Sequence, residues 1–191
     1  MKKHLIMFAL AGAWLAALVS AQSAQDLKSY ESLKEPRIRQ GVPPQKMLVV
    51  ESKGNPNIKG KEAFGLLFKV FFSIQGARMA PPRARWLSPL DSPQENWVGL
   101  YALPLPEQVA ELPAGSEGTR IEVWEYGDVA EILHVGSYSE ETPTVQKLVK
   151  FIQDQGYAIA GPHEEEYLKG PGMAASPADY WTIIRYQVKK K

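Results

Sequence analysis

The chain repeats its own order of elements. Strand, turn, helix ending in glycine, short aromatic strand, proline-rich turn and longer strand run twice, about 80 residues apart. Gly76 closes the first helix and Gly156 the second. Trp86 in Arg83-Ala84-Arg85-Trp86-Leu87 corresponds to Tyr167 in Glu164-Glu165-Glu166-Tyr167-Leu168, and Trp97 opens the strand that corresponds to the one opened by Tyr180. One such half exposes an apolar sheet face and an apolar helix face that it cannot bury alone. Two halves side by side bury both. The repeat therefore predicts an α+β fold: duplicated βαββ halves forming one antiparallel sheet, with two helices on one face. The remaining face is expected to curve into a concave ligand-binding face, with a pocket at the pseudo-twofold junction.

Local signals place the elements. Thr142 is a good N-cap and Pro143 suits the first helical position. Val145, Leu148, Val149 and Ile152 then follow the i, i+3, i+4, i+7 spacing of one buried face. This helix is expected over 143–155. The first helix is expected over 61–75, with Phe64, Leu67, Phe68 and Phe71 on one face, after a turn at Gly54-Asn55-Pro56-Asn57. Met47-Leu48-Val49-Val50 is a candidate buried strand. Thr119 to Tyr126 alternates, Gly127-Asp128 is a turn signal, and Val129 to Val135 is apolar, so a hairpin is expected there. Leu112 to Thr119 is a Pro/Gly/Ser connector, which sets the halves at about 46–111 and 119–190.

The N-terminus has the three parts of a secretory signal peptide: a basic Met1-Lys2-Lys3-His4, an apolar run from Leu5 to Val19, and Val19-Ser20-Ala21 at the cleavage position. The apolar run is shorter than the ~20 residues that span a bilayer. Residues 1–21 are expected to be cleaved after Ala21, leaving a periplasmic or secreted protein without stable membrane insertion. Residues 22–45, polar and containing Pro36, Pro43 and Pro44, read as a linker or flexible arm before a domain over 46–190. Without the first 21 residues the chain holds 20 basic against 21 acidic residues. Such a balance offers no electrostatic footprint for nucleic acid. The absence of cysteine excludes disulfides and thiolate metal sites.

From Val129 to Val188 the pattern of apolar strand, His134-Val135-Gly136-Ser137-Tyr138, helix, Gly156-Tyr157, Glu165-Glu166-Tyr167-Leu168 and closing strand Thr182 to Val188 resembles the GyrI-like effector-binding domains of multidrug-sensing regulators. Gln187 stands where many members have proline. The N-terminal half matches more loosely. The resemblance implies a tandem βαββ domain that binds small hydrophobic or cationic organic molecules, and it implies that some relatives are hydrolases. Members that regulate transcription carry a helix-turn-helix domain ahead of this one. Here a signal peptide and short linker are expected in its place, so the reading is a stand-alone exported version with no nucleic-acid partner.

Glu165 and Tyr167 lie two apart on a strand and share a face, which the resemblance puts in the pocket. A carboxylate beside aromatic rings receives a cation by charge and by cation–π attraction. In a dry pocket the same carboxylate can act as a general base, which makes Glu165 the catalytic candidate of a hydrolase that opens a small electrophile with water. Glu166 takes its place if the register slips by one. Trp86, Trp97, Tyr101 and Trp181, with Trp124, are candidate aromatic walls, each of which also fits ordinary core packing. Two histidines in the mature chain and no cysteine are a poor zinc set, so neither metal nor cofactor is expected. His134 reads as a structural residue holding the turn after its strand, and Tyr138 as a turn residue near the pocket.

Overall fold

The computed structural model describes residues 30–191; the signal peptide expected at 1–21 lies outside them. Among the described residues there are eight strands: β1 Arg37–Val42, β2 Gln45–Lys53, β3 Arg83–Trp86, β4 Val98–Pro104, β5 Arg120–Trp124, β6 Gly127–Val135, β7 Tyr157–Lys169 and β8 Trp181–Lys190. Two α-helices accompany them, α1 Pro56–Phe71 and α2 Thr142–Asp154. The strands form one antiparallel sheet in the order β1-β6-β8-β7-β3-β4-β2-β5. The two halves have the same internal pairing. In each, the first strand pairs with the last, and the last with the strand between them. The halves join through β3 and β7 at the centre.

Helix α1 starts five residues earlier than its apolar face alone suggests. The Asn55 side chain accepts from the Asn57 backbone N–H at 3.0 Å and Pro56 occupies the first turn, so the expected turn 54–57 is instead a helix cap. Gly60, Ala63, Leu67, Val70 and Phe71 form the buried stripe. They pack on Leu48, Val50, Ala84, Trp86, Tyr101 and Leu103 of β2, β3 and β4. Helix α2 buries Leu148 and Ile152 on Ala130, Ile132, Ile184, Tyr186 and Val188 of β6 and β8. Gly156 follows in the left-handed conformation (φ 77°), which favours glycine at this position.

The helices share a face of the sheet, as cross-strand register demonstrates. Val50, Tyr101, Ala84, Glu165, Ile184 and Ile132 are consecutive direct partners across six strands. Val50 and Tyr101 belong to the α1 core, Ile184 and Ile132 to the α2 core. Glu165 sits midway, between the two helices.

The expected hairpin of β5 and β6 does not form. β5 pairs with β2 at one edge, whereas β6 pairs with β1 and β8 near the other. Two-residue links, Pro43-Pro44 and Glu125-Tyr126, nevertheless carry the chain from β1 to β2 and from β5 to β6. Each link joins strands six positions apart, about 29 Å in a flat sheet, and reaches only about 11 Å. The sheet must therefore curl until its edges approach each other. Strand β1 also lies within the segment expected as a linker, and Leu33, just before it, is buried with Leu133, Leu168 and Ile183.

The face away from the helices is the inside of this curl, and it is filled. Its apolar part is Met47, Val49, Leu100, Ala102, Trp124, Tyr126 and Val129. Beside it Arg37, Glu131, Arg185, Glu164 and Arg85 are consecutive direct partners across five strands, alternating in charge. Arg185 holds Glu131 at 3.0 Å, Glu164 at 2.8 Å and Glu166 at 3.0 Å. Tyr126, on the crossing link, donates to Glu164 at 3.1 Å and accepts from Arg83 at 2.6 Å.

Candidate functional site

Strict alternation along β7 sends its four central polar residues to opposite faces. Glu164 and Glu166 go inward to the arginines, while His163 and Glu165 go to the helix side. Each of the first two carboxylates meets arginine: Glu164 pairs with Arg85 at 2.7 Å and Glu166 with Arg83 at 3.5 Å, besides Arg185. Among the described residues no lysine or arginine lies within 4.0 Å of Glu165; its one ion-pair partner is His163. The alternative register that would bring Glu166 to the helix side is not the one adopted.

Glu165 is held instead by neutral donors. Trp86 Nε1–H donates to Oε1 at 2.7 Å and the Tyr167 hydroxyl to Oε2 at 2.6 Å. These two residues are each other's counterparts in the repeat, and they converge on one carboxylate. His163 Nε2 lies 3.0 Å from Oε1, with its Nδ1 2.9 Å from the Tyr186 hydroxyl. Ala84, directly opposite Glu165, leaves room for this arrangement. Gly99 does the same for Trp86: a Cβ there would fall 2.8 Å from the indole Cζ3 and 3.0 Å from Tyr101 Cε2.

Aromatic rings close around the carboxylate. Trp86 packs against Trp97 (5.2 Å between centroids) and edge-on against Tyr101 (5.7 Å). Phe64 of α1 meets Tyr101 at 5.0 Å and Tyr167 at 5.9 Å. Tyr138, from the turn after β6, lies against Tyr167 and Tyr180. Glu165 is only 8% exposed, whereas Tyr138 is 39% exposed and forms the outermost wall. Two shallow surface hollows, lined by 73–80 and 104–113, touch none of these groups.

Glu141, like His163, is a member of the site that sequence reasoning missed. It immediately precedes α2, is 8% exposed, and its Oε1 has no hydrogen-bond partner. Thr182 Oγ1, fully buried on β8, is likewise unpartnered. Burial and then the neighbouring Glu165 push the Glu141 carboxyl up to about 9; the Thr182 hydroxyl opposes them without reaching good hydrogen-bond geometry. Burial also acts to raise Glu165, but the His163, Tyr167 and Trp86 hydrogen bonds outweigh it and hold the group below the usual carboxylate range. The Tyr101 and Tyr186 hydroxyls are pushed up to about 12, by burial first and Glu165 second. The site thus combines one ionised and one protonated carboxyl with neutral phenols.

Donor atoms of Glu141, His163 and Glu165 lie within 4.8 Å of one another. His163 Nε2, however, is turned onto Glu165 Oε1 at hydrogen-bond distance. His163 and Glu165 are a hydrogen-bonded pair, and Glu141 lies beside them without a hydrogen bond from its Oε1.

Of the residues expected here, Glu165, Tyr167, Trp86, Trp97 and Tyr101 are brought together. Trp181 is not: it packs with the Leu33 cluster on the opposite face, because Thr182 and Ile184 take the helix side. Trp124 is also on that face, 4.0 Å from the Arg85 guanidinium. His134 serves the turn, with Nδ1 3.0 Å from Thr144 Oγ1 and Nε2 3.1 Å from the Ser137 carbonyl oxygen. His163 was legible, two residues before Glu165 on the same strand face. Nothing in the sequence marks Glu141 apart from Glu140 beside it.

Two βαββ halves meet at this buried acidic and aromatic centre, and solved structures share the fold. Among solved structures, a hydrolase from Listeria innocua is 21% identical and superposes with a TM-score of 0.70, covering 87% of this chain and 98% of that one. The EcmrR C-terminal domain is 13% identical with a TM-score of 0.69, covering 82% and 98%. At these identities the likeness is one of fold. No protein-family model and no curated protein matches the sequence.

Proposed function

We propose that the protein binds a small hydrophobic organic cation at Glu165, between Trp86, Trp97, Tyr101 and Tyr167. The observation that carries this reading is the contrast along β7. Glu164 and Glu166 have arginine partners; Glu165, at the same depth, has none within 4.0 Å among the described residues. A buried carboxylate ringed by aromatic faces is suited to a lipophilic cation, which supplies the missing charge and stacks on the rings. Entry requires Tyr138 to swing off Tyr167. By the reading of residues 1–21 as a signal peptide, binding takes place outside the cytoplasm. Titration with tetraphenylphosphonium, followed by tryptophan fluorescence, tests the proposal. Quenching is expected, because Trp86 and Trp97 line the site. A folded protein that shows no change with this or other lipophilic cations would overturn it.

A second reading, a hydrolase of a small electrophilic compound, draws on the chain Tyr186–His163–Glu165, which can relay a proton from a water activated by Glu165, and on the hydrolase among the similar structures. Replacing Glu165 by Gln separates the two. A hydrolase loses turnover and keeps its affinity, whereas a cation receptor loses affinity.

A further inference from the structure

We infer that Glu141 and Glu165 hold a single proton between them in the ligand-free site and that a bound organic cation displaces it, so that Glu141 is the residue through which the site exchanges a proton for its ligand. This rests on the cation-binding reading and adds to it a second carboxyl and a stoichiometry.

The geometry leaves little alternative. The carboxylate oxygens belong to a group whose donor atoms all lie within 4.8 Å, and both residues are only 8% exposed. Two like charges this close in a buried site do not both ionise. Glu165 has three hydrogen-bond partners to favour its charge; Glu141 Oε1 has none. The proton therefore resides on Glu141, in agreement with the opposite displacement of the two carboxyl groups. The groups facing the pair are Tyr138 from the turn, His163 and Tyr167 from β7, Thr182 and Tyr186 from β8, Trp86 from β3 and Tyr101 from β4, with Phe64 from α1 behind Tyr167. None of them is a lysine or arginine. His163 alone can carry positive charge, and its Nε2 is committed to Glu165.

The exchange conserves charge. Before binding, the pair is one carboxyl and one carboxylate. After binding it is two carboxylates and one cation, and the proton has left for solvent. The unpartnered Glu141 oxygen is then the one that gains the ligand's charge.

The experiment is isothermal titration of the full chain with tetraphenylphosphonium at pH 7, in buffers of different ionisation enthalpy. About one proton released per cation bound is expected, with affinity rising close to tenfold per pH unit between pH 6 and 8. In Glu141→Gln the release disappears and affinity no longer depends on pH. Cation binding by the wild type with no proton release, or unchanged release in Glu141→Gln, would overturn the inference. A ligand-free arm keeps it separate from the binding reading. Stability to urea in the wild type should fall between pH 5 and 8.5, and in Glu141→Gln it should not. If the cation fails to bind, the binding reading falls while this arm still decides whether the proton is shared; parallel profiles for the two proteins would refute it.

Discussion

Arg185→Met tests whether the row of opposite charges on the inner face is a structural element. Arg185 donates to Glu131 at 3.1 and 3.0 Å, to Glu164 at 2.8 Å and to Glu166 at 3.0 Å. Methionine fills most of its volume and makes none of these bonds. The carboxylates keep other arginines, but Arg37 and Arg39 are nearly half exposed and screened by water, while Arg83 and Arg85 are buried more deeply. Removing one partner of a buried pair costs about 3–5 kcal/mol, and the three carboxylates served here place the expectation at about 4 kcal/mol. That is a large part of the stability of an ordinary domain, about 5–15 kcal/mol. The assay is urea unfolding followed by tryptophan fluorescence, at pH 7 and pH 5. In the wild type, burial acts to raise the Glu131 carboxyl, but Arg185, Arg37 and Arg39 lower it below 4.5. The stability this supplies is present above pH 4.5 and is lost as pH falls through the folded-state value. Without Arg185 only Arg37 and Arg39 oppose burial, so the folded-state value of this carboxyl rises and the variant is penalised increasingly, relative to wild type, as pH rises through it. The gap between wild type and variant should therefore narrow from pH 7 to pH 5. A loss under about 1 kcal/mol, or a gap that widens on acidification, would refute the reasoning.

Three further outcomes are expected. Gly99→Ala should cost about 1–3 kcal/mol by overpacking and shift tryptophan emission, since the new methyl group meets the Trp86 and Tyr101 rings; unchanged emission and stability would count against the packing described. Trp86→Phe removes the 2.7 Å hydrogen bond to Glu165 and should cost about 1.5–3 kcal/mol, the range for a bond to a charged group, measured by urea unfolding. In ligand-free protein the Glu141 carboxyl, raised from 4.5 to about 9, keeps a proton that the unfolded chain loses. Stability should then fall by up to about 1.4 kcal/mol per pH unit between those values. Glu141→Gln should flatten that slope, and a slope retained in the variant would locate it elsewhere.

Much of this was legible in the sequence because it is local. The apolar stripe of α2, the glycine after it and the i, i+2 relation of Glu165 to Tyr167 all act within a few residues; Thr142, expected as the N-cap, is instead the first helical residue after Glu141, and α1 ends at Phe71, five residues before the Gly76 expected to close it. The repeat order predicts the pairing of halves, since neither half can bury its apolar faces alone. What failed depended on distant partners. Gly127-Asp128 carries a turn signal, but the curl of the whole sheet decides where β5 and β6 go. Trp181, a candidate wall that also fits core packing, lies on the other face; Ile183-Ile184 beside it gives no apolar–polar alternation to fix its parity. The charged row was invisible because each member is ordinary alone and meaningful only in register. Glu141 reaches the site through a turn whose path no periodicity describes.

The two short links across the curled sheet interlock the halves. β1, from ahead of the first half, forms the outer edge of the second by pairing with β6. β5, from beyond the connector, forms the outer edge of the first by pairing with β2. The second half therefore takes its edge strand from chain ahead of the first, and the first takes its edge strand from chain just beyond the connector. A protease cut in the connector between β4 and β5 would separate two fragments in sequence and not in space, because each grips the other along a full strand edge as well as at the β3–β7 seam. Either fragment alone would expose an unpaired edge where the other belongs. The domain is in this sense one cooperative unit made from two similar parts, and the buried acidic centre at their seam is as stable as the clasp that surrounds it.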